Sequence, residues 1–325
     1  MAFALLMAAL LAAGAARPID SAASPPVAAP VSSAAALPLM PPVTSRDRIL
    51  VVAPHPDDES LCCAGLIQQG LAAGATVGIV WITAGDGFEL DALLVEHTLS
   101  PDSAAMQRLG RQRLREARSA AGVLGVPYAA QFVLGYPDRG IEALMSSYFV
   151  RPYRSRYTAN THVRYAGAVS PEASYTGANL KHDLTAVLDK FAPTLVFAAA
   201  PQDLHPDHRA SGELVLRILT ERGQLTALRY WVIHEHQWPR PYGLNPGLPL
   251  LPPLAAAALD WHSLPLSAAD RTGKLAALSA HESQLRVMAP LMKAFVRANE
   301  IFAPAPEPAP ASSPSPTAAR PGAPH

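Results

Sequence analysis

Short β-branched or aromatic runs, helical patterns between them, and glycines where those helices should stop together predict an α/β fold. The architecture expected is an open, mostly parallel, Rossmann-like sheet with helices on both faces, in a single domain with a Tyr/Arg-rich insertion.

Residues 49–53, 77–82, 131–134, 195–199 and 230–233 are short apolar runs such as Ile49-Leu50-Val51-Val52-Ala53, which fit strands buried on both faces of a parallel sheet. Between them, residues 59–73, 106–124, 180–191 and 206–222 place apolar side chains every three or four positions, the period of a helix with one face on a core. Gly70, Gly74 and Gly125 fall at expected helix ends. Residues 140–179 break the rhythm and carry Tyr148, Tyr153, Tyr157, Tyr165 and Tyr175 with Arg151, Arg154, Arg156 and Arg164. A stretch of this length without its own elements points to function, and its aromatic and guanidinium groups suit stacking on a sugar; an irregular surface excursion is the competing reading.

The ends differ from the body. Of 33 prolines, seven lie between Pro18 and Pro42 and eight between Pro304 and Pro324. Such Ala/Pro/Ser mixtures bury too little to offset chain entropy, so residues 17–44 are expected to be a disordered linker and 303–325 a disordered tail around a domain spanning 45–302. Residues 1–16 contain an uncharged run ending Ala13-Gly14-Ala15-Ala16, the length and small-residue ending of a signal peptide. The expected location is therefore exported (periplasmic, cell-envelope or extracellular), with anchoring by an uncleaved N-terminal segment as the alternative. No other stretch approaches the ~18 apolar residues of a spanning helix, so no stable membrane span is expected in the mature body.

The 26 basic side chains balance 26 acidic ones. A generally basic surface is excluded, so nucleic acid is not an expected partner, although a neutral total leaves room for a local basic patch. Cys62 and Cys63 are neighbours whose α-carbons lie ~3.8 Å apart, below the usual disulfide separation, so they are expected to be small apolar fillers on a buried helix face.

Chemistry concentrates at two strand ends. Pro54-His55-Pro56-Asp57-Asp58-Glu59 follows the first strand, and Asp203-Leu204-His205-Pro206-Asp207-His208 follows the fourth. Imidazole and carboxylate suit Zn²⁺ or another divalent transition metal, and a catalytic site keeps a position open by using three protein ligands. A second carboxylate, free of the metal, must then take a proton from water, and the pair Asp57 and Asp58 allows one of each role. Capping of the next helix is the competing use of these aspartates. No Gly-x-Gly-x-x-Gly or Gly-Lys-Ser/Thr loop follows the first strand, which argues against nucleotide binding.

These two motifs resemble those of the LmbE-like, PIG-L-type zinc N-deacetylases, which remove acetyl from N-acetylglucosaminyl groups. Thr83-Ala84-Gly85-Asp86, Arg113-x-x-Glu116, Leu134-Gly135-Tyr136-Pro137-Asp138 and His281-Glu282-Ser283-Gln284 resemble further family elements in the same order. The resemblance implies that His55, Asp58 and His208 hold the metal and that Asp57 is the general base. It implies that His205, protonated, stabilises the oxyanion or donates to the leaving amine, with Asp207 as its carboxylate partner, and that Arg113 and Asp138 contact the sugar. Asp86 stands where family members often have Glu. His281 and Gln284 read equally as supports of the site or as helix packing.

The function expected is metal-dependent hydrolysis of an acetamide on an N-acetylated saccharide or glycoconjugate. A non-catalytic carbohydrate-binding protein and a metal-dependent phosphoesterase are the alternatives; the first has no use for an unligated Asp57, and the second needs a second metal ~3.5–4 Å away. Nothing in the sequence specifies an oligomeric state.

Overall fold

The computed structural model describes residues 37–95 and 100–306. The segment read as a signal peptide, the linker up to residue 36 and the tail from residue 307 lie outside the described residues. The elements in order are β1 (Arg48–Ala53), α1 (Asp58–Ala72), β2 (Thr76–Thr83), α2 (Glu89–Val95), α3 (Ser103–Val123), β3 (Gln131–Tyr136), α4 (Ile141–Met145), α5 (Gly177–Phe191), β4 (Leu195–Ala199), α6 (Pro206–Glu221), β5 (Leu228–Trp231), β6 (His262–Pro265), α7 (Ala268–Ser279), α8 (Glu282–Lys293) and β7 (Asn299–Pro304).

The sheet has seven strands in the order β3-β2-β1-β4-β5-β7-β6. β1 to β5 pair in parallel, while β7 is antiparallel to both β5 and β6. This is the mostly parallel α/β sheet expected. Alternation along β1 divides the core: Ile49, Val51 and Ala53 join one apolar cluster with Leu66, Ala117 and Leu278, and Leu50 and Val52 join another with Leu184 and Leu214. All five are essentially inaccessible to water, each larger one contributing about 1.5–3 kcal/mol by burial.

Strand order reverses between β1 and β4. Ligands of open α/β sheets bind outside the carboxyl ends of the strands at such a switch point, and both His/Asp motifs leave the sheet there.

Two boundary expectations and one about the cysteines change. Residues 37–44 already pack on the domain expected to start at residue 45: the Pro38 carbonyl accepts from Ser263 N–H at 2.8 Å, Met40 N–H donates to the Ser263 carbonyl at 2.9 Å, and Leu37, Met40 and Val43 pack on the two clusters. These few apolar residues, thinly spread among prolines, anchor a stretch whose composition alone reads as linker. Residues 303 and 304 belong to β7, not to the tail. Cys62 and Cys63 do lie on a buried helix face, but they are joined as a vicinal disulfide across a Cα–Cα separation of 3.7 Å.

Candidate metal-dependent active site

The turn after β1 is built around a residue in an unusual conformation. Asp57 has φ 131°, in the region that normally requires glycine, and it stands at the start of α1 without making a side-chain capping bond. Such backbone costs about 1–3 kcal/mol and persists where its surroundings fix it. Here Asp57 N–H donates to Glu59 Oε2 at 3.1 Å, and the same oxygen accepts from Trp81 Nε1 at 2.9 Å. Glu59 Oε1 accepts from Ser60 Oγ at 2.8 Å and from His281 Nε2 at 3.1 Å. His281 is thus a support of the turn, and the capping reading of Asp57 is set aside.

Across the switch point, His205 begins α6. Its Nδ1 accepts from Asp207 N–H at 3.2 Å, and Pro206 follows in the first helical turn, where a missing N–H costs nothing. One turn on, His208 is fully buried.

These two turns bring three ligand-type atoms together. His55 Nδ1 is 3.2 Å from His208 Nε2, His208 Nε2 is 3.3 Å from Asp58 Oδ2, and Asp58 Oδ2 is 3.5 Å from His55 Nδ1. A tetrahedral Zn²⁺ with bonds of about 2.0–2.1 Å sets its ligands about 3.3–3.4 Å apart. The far side of each imidazole is held: His55 Nε2 faces Asp138 Oδ1 at 3.2 Å and Asp207 Oδ2 at 3.4 Å, and His208 Nδ1 faces Asp203 Oδ2 at 3.2 Å. Carboxylates there fix the proton on the outer nitrogen and turn the inner lone pair toward the triangle. Burial opposes a charge on His208, yet Asp58 and Asp203 outweigh it and raise its pKa to about 9. The field at this point favours a cation, and the donor set fits Zn²⁺ or a similar divalent ion.

Asp57 stands beside the triangle with a different environment. Burial, opposed by Arg113, raises its carboxyl to about 7, whereas Asp58 is held well below the usual range, His208 and His55 overcoming burial. Two adjacent carboxyls pushed in opposite directions mark different chemical roles. A cavity of about 300 Å³, with Asp57, Asp58, His55, Asp138 and His205 in its lining, gives access to the group. A larger groove of about 870 Å³ between Arg229 and Pro304 contains none of these His/Asp groups.

The chain matches the PIG-L (GlcNAc-PI de-N-acetylase) family over residues 50–219, which include both motifs. It belongs to the PIG-L family. A 1D-myo-inositol 2-acetamido-2-deoxy-α-D-glucopyranoside deacetylase of Mycobacteroides abscessus is 30% identical over 257 residues, covering 74% of this chain and 82% of that protein. The protein of the same name from Nakamurella multipartita is 30% identical over 184 residues, or 53% of this chain and 54% of that protein. A crystal structure of the zinc-inhibited form of teicoplanin deacetylase Orf2 shares the fold, with TM-score 0.50 and 18% identity over 79% of this chain and 97% of that one. The family resemblance carried by the two motifs is thereby established.

Within this PIG-L family member several residues sit differently from what the resemblance implied. Asp207 is not the side-chain partner of His205: its carboxylate accepts from Arg139 N–H at 2.5 Å and Ile141 N–H at 3.0 Å and faces His55. Burial and the neighbouring imidazoles push the His205 pKa down to about 2, and its Nδ1 accepts from the Asp207 N–H. Arg113 and Asp138 reach the cavity but spend their polar groups on the protein. Arg113 donates to Gly85 O at 2.8 Å, Pro56 O at 3.0 Å and Asp57 Oδ2 at 3.3 Å, and Gln284, its amide oxygen turned inward, also accepts from it. Asp138 binds Gly87 N–H at 2.8 Å besides His55.

No described residue of 140–179 lines the cavity. Tyr165 and Tyr175 are core residues, and Tyr165 hydroxyl donates to Asp86 Oδ2. Asp86, raised to about 7 by burial and by the charge of Asp138, also accepts from Asp138 N–H at 3.2 Å, so the insertion braces the site from behind.

Two site residues carry no role in the sequence-based assignment. Asp203 accepts from His205, Ile233 and His234 N–H as well as from His208, tying the turns after β4 and β5 together. His234 lines the cavity, its ring 4.6 Å from that of His208 and 5.0 Å from that of His205. Its signal was its place directly after a parallel strand, the same signal that marks His55.

Proposed function

We propose that this protein is a zinc-dependent N-deacetylase acting on the N-acetyl group of a glucosamine-type saccharide or glycoconjugate. The carrying observation is the triangle of His55 Nδ1, Asp58 Oδ2 and His208 Nε2, with edges of 3.2–3.5 Å, beside the unligated Asp57. The names of the relatives, both deacetylases of a 2-acetamido-2-deoxy-glucopyranoside, support the substrate class.

His55, Asp58 and His208 would hold the ion, which when bound supplies an electrophile for the acyl oxygen and lowers the pKa of water. Asp57 accepts the proton of the attacking water: its carboxyl is poised near neutrality, and Arg113 fixes its orientation through Oδ2. His205 donates from Nε2, because the Asp207 N–H occupies Nδ1, and so stabilises negative charge growing on the acyl oxygen. Proton transfer to the departing nitrogen returns the proton gained by Asp57 and leaves acetate and a free amine.

A single-ion site is the better reading than a two-metal phosphoesterase. The second group around His55, Asp138 and Asp207 is already satisfied by the His55 Nε2 proton and by the Gly87, Arg139 and Ile141 N–H groups. The test is acetate release from N-acetylglucosamine glycosides by zinc-loaded protein, with p-nitrophenyl phosphate as the contrasting substrate; phosphate release without acetate release would reverse the assignment.

Export is proposed as well, supported by the uncharged run 2–16; no helix among the described residues is long and apolar enough to cross a membrane. Intact mass of the protein from its native host checks this by loss of about 16 residues.

A further inference from the structure

Two imidazoles that line the cavity, His205 and His234, flank the metal triangle. Nitrogens of His205, His55 and His208 lie within 4.8 Å of one another, and nitrogens of His234 and His208 lie within 4.8 Å of each other and of an Asp58 carboxylate oxygen. His205 therefore stands by the edge between His55 and His208, while His234 stands by the edge between Asp58 and His208. The rings agree with this placing: His205 is 4.7 Å from His55 and 5.0 Å from His234, whereas His234 meets His205 and His208 alone among the described imidazoles.

The two are held differently. His205 accepts from Asp207 N–H through Nδ1, but no hydrogen bond among the described residues reaches either ring nitrogen of His234. Its backbone is nevertheless fixed: His234 N–H donates to Asp203 Oδ2 at 3.1 Å, and its carbonyl accepts from Leu204 N–H at 3.0 Å. The half-buried ring is thus set in place by the fold and packed against two others with its polar atoms unspent. A neutral imidazole has one N–H and one lone pair in either tautomer, and such groups in a cavity call for a partner from outside the chain.

An acetamide brings two polar atoms to this cavity. Its oxygen, an acceptor, is already assigned to His205; its nitrogen carries an N–H that loses water on entry and needs an acceptor. Of the carboxylates in the lining, Asp58 belongs to the metal, Asp57 to the attacking water, and Asp138 to Gly87 N–H and His55. The lone pair of His234 remains. We propose that His234 accepts the acetamide N–H and so makes the site selective for an amide over the corresponding ester, which has no N–H to give. The inference rests on the deacetylase reading of the same site. Held in this way, the nitrogen keeps its other side open for the proton that Asp57 returns.

The test compares acetate release from methyl 2-acetamido-2-deoxyglucoside and from methyl 2-O-acetylglucoside by the zinc-loaded full chain, with zinc per chain measured by plasma emission for each variant. His234→Phe and His234→Leu both fill the space without a nitrogen, so one serves if the other does not fold. The proposal predicts that kcat/KM for the amide falls at least about tenfold relative to the ester, at about one zinc per chain. Asn and Gln place a carbonyl oxygen near Nδ1 and Nε2 respectively, so His234→Asn or His234→Gln should recover part of the ratio. Equal loss on both compounds, an unchanged ratio, or no recovery by either amide side chain overturns the role of His234 and leaves the deacetylase reading intact. Loss of zinc from the Phe and Leu variants makes His234 a ligand instead, which overturns the role as well. Wild-type protein that frees acetate from the ester alone, or from neither compound, removes the deacetylase reading and the inference with it.

Discussion

Arg113 Nη2 lies 3.3 Å from Asp57 Oδ2, and the same guanidinium is pinned by the carbonyls of Pro56 and Gly85. The arginine is therefore a fixed countercharge for the proposed base. Gly85 makes the approach possible: it has φ +67°, and a Cβ there would stand 2.4 Å from the guanidinium.

Loss of that countercharge should move the pH dependence in a defined direction. Burial raises the Asp57 carboxyl and Arg113 opposes it, and only the ionised form can accept a proton. Activity should rise with pH through an acid limb at or below pH 7 in the zinc-loaded protein, because a neighbouring cation can only lower the pKa further. Arg113→Ala should shift the limb upward by about one unit and lower kcat at neutral pH about tenfold or more. A kcat/KM profile with an unmoved limb would dissociate the two residues.

Asp203 acts at a distance of one imidazole from the triangle. Its Oδ2 holds His208 Nδ1 at 3.2 Å and also accepts from two backbone N–H groups, so it orients a ligand without touching the ion. Asp203→Asn should weaken zinc about 10- to 100-fold in a chelator-competition titration. Unchanged zinc affinity would reduce Asp203 to a loop staple.

A buried ion pair behind the site binds the backbone of α1. Lys274 Nζ donates to Leu61 O and to Glu300 Oε1, both at 2.7 Å, and Glu300 accepts from Gly65 and Leu66 N–H at 2.9 Å. Both side chains are excluded from water. Lys274→Met leaves Glu300 charged, buried and unpaired, at a cost of about 3–5 kcal/mol in denaturant unfolding. The double variant with Glu300→Gln should recover part of this, because the glutamine amide can still accept from the helix; equal stability of Lys274→Met and the wild type would contradict the pairing.

The parts legible in sequence were those with an uninterrupted period. Val51 and Val52 read as a buried parallel strand because nothing polar intrudes, and His55 and His208 stood out because imidazoles followed such strands twice. The antiparallel edge was hidden. β7 carries Glu300 inside its apolar run, explained by Lys274 and by the Gly65 and Leu66 N–H groups across space, and β6 is four residues ending in proline. α8 holds Pro290 and a non-helical Met288, which break the helical pattern over Met288, Leu291 and Met292, residues that line the cavity. The insertion was legible only as a composition: tyrosine with arginine suits a sugar platform or a surface excursion, and the pattern does not tell that Tyr165 and Tyr175 are buried while Tyr148, Tyr153 and Tyr157 stay partly exposed.

The central claim is that Asp57 and Asp58, adjacent and chemically identical, divide base and ligand between them. Zinc content by plasma emission, measured together with kcat for Asp57→Asn and Asp58→Ala, tests it most directly. The account predicts that Asp57→Asn retains about one zinc per chain and loses about 10²- to 10⁴-fold in kcat, while Asp58→Ala loses the metal along with activity. A metal-free Asp57→Asn protein, or an Asp58→Ala protein fully loaded with zinc, would contradict it.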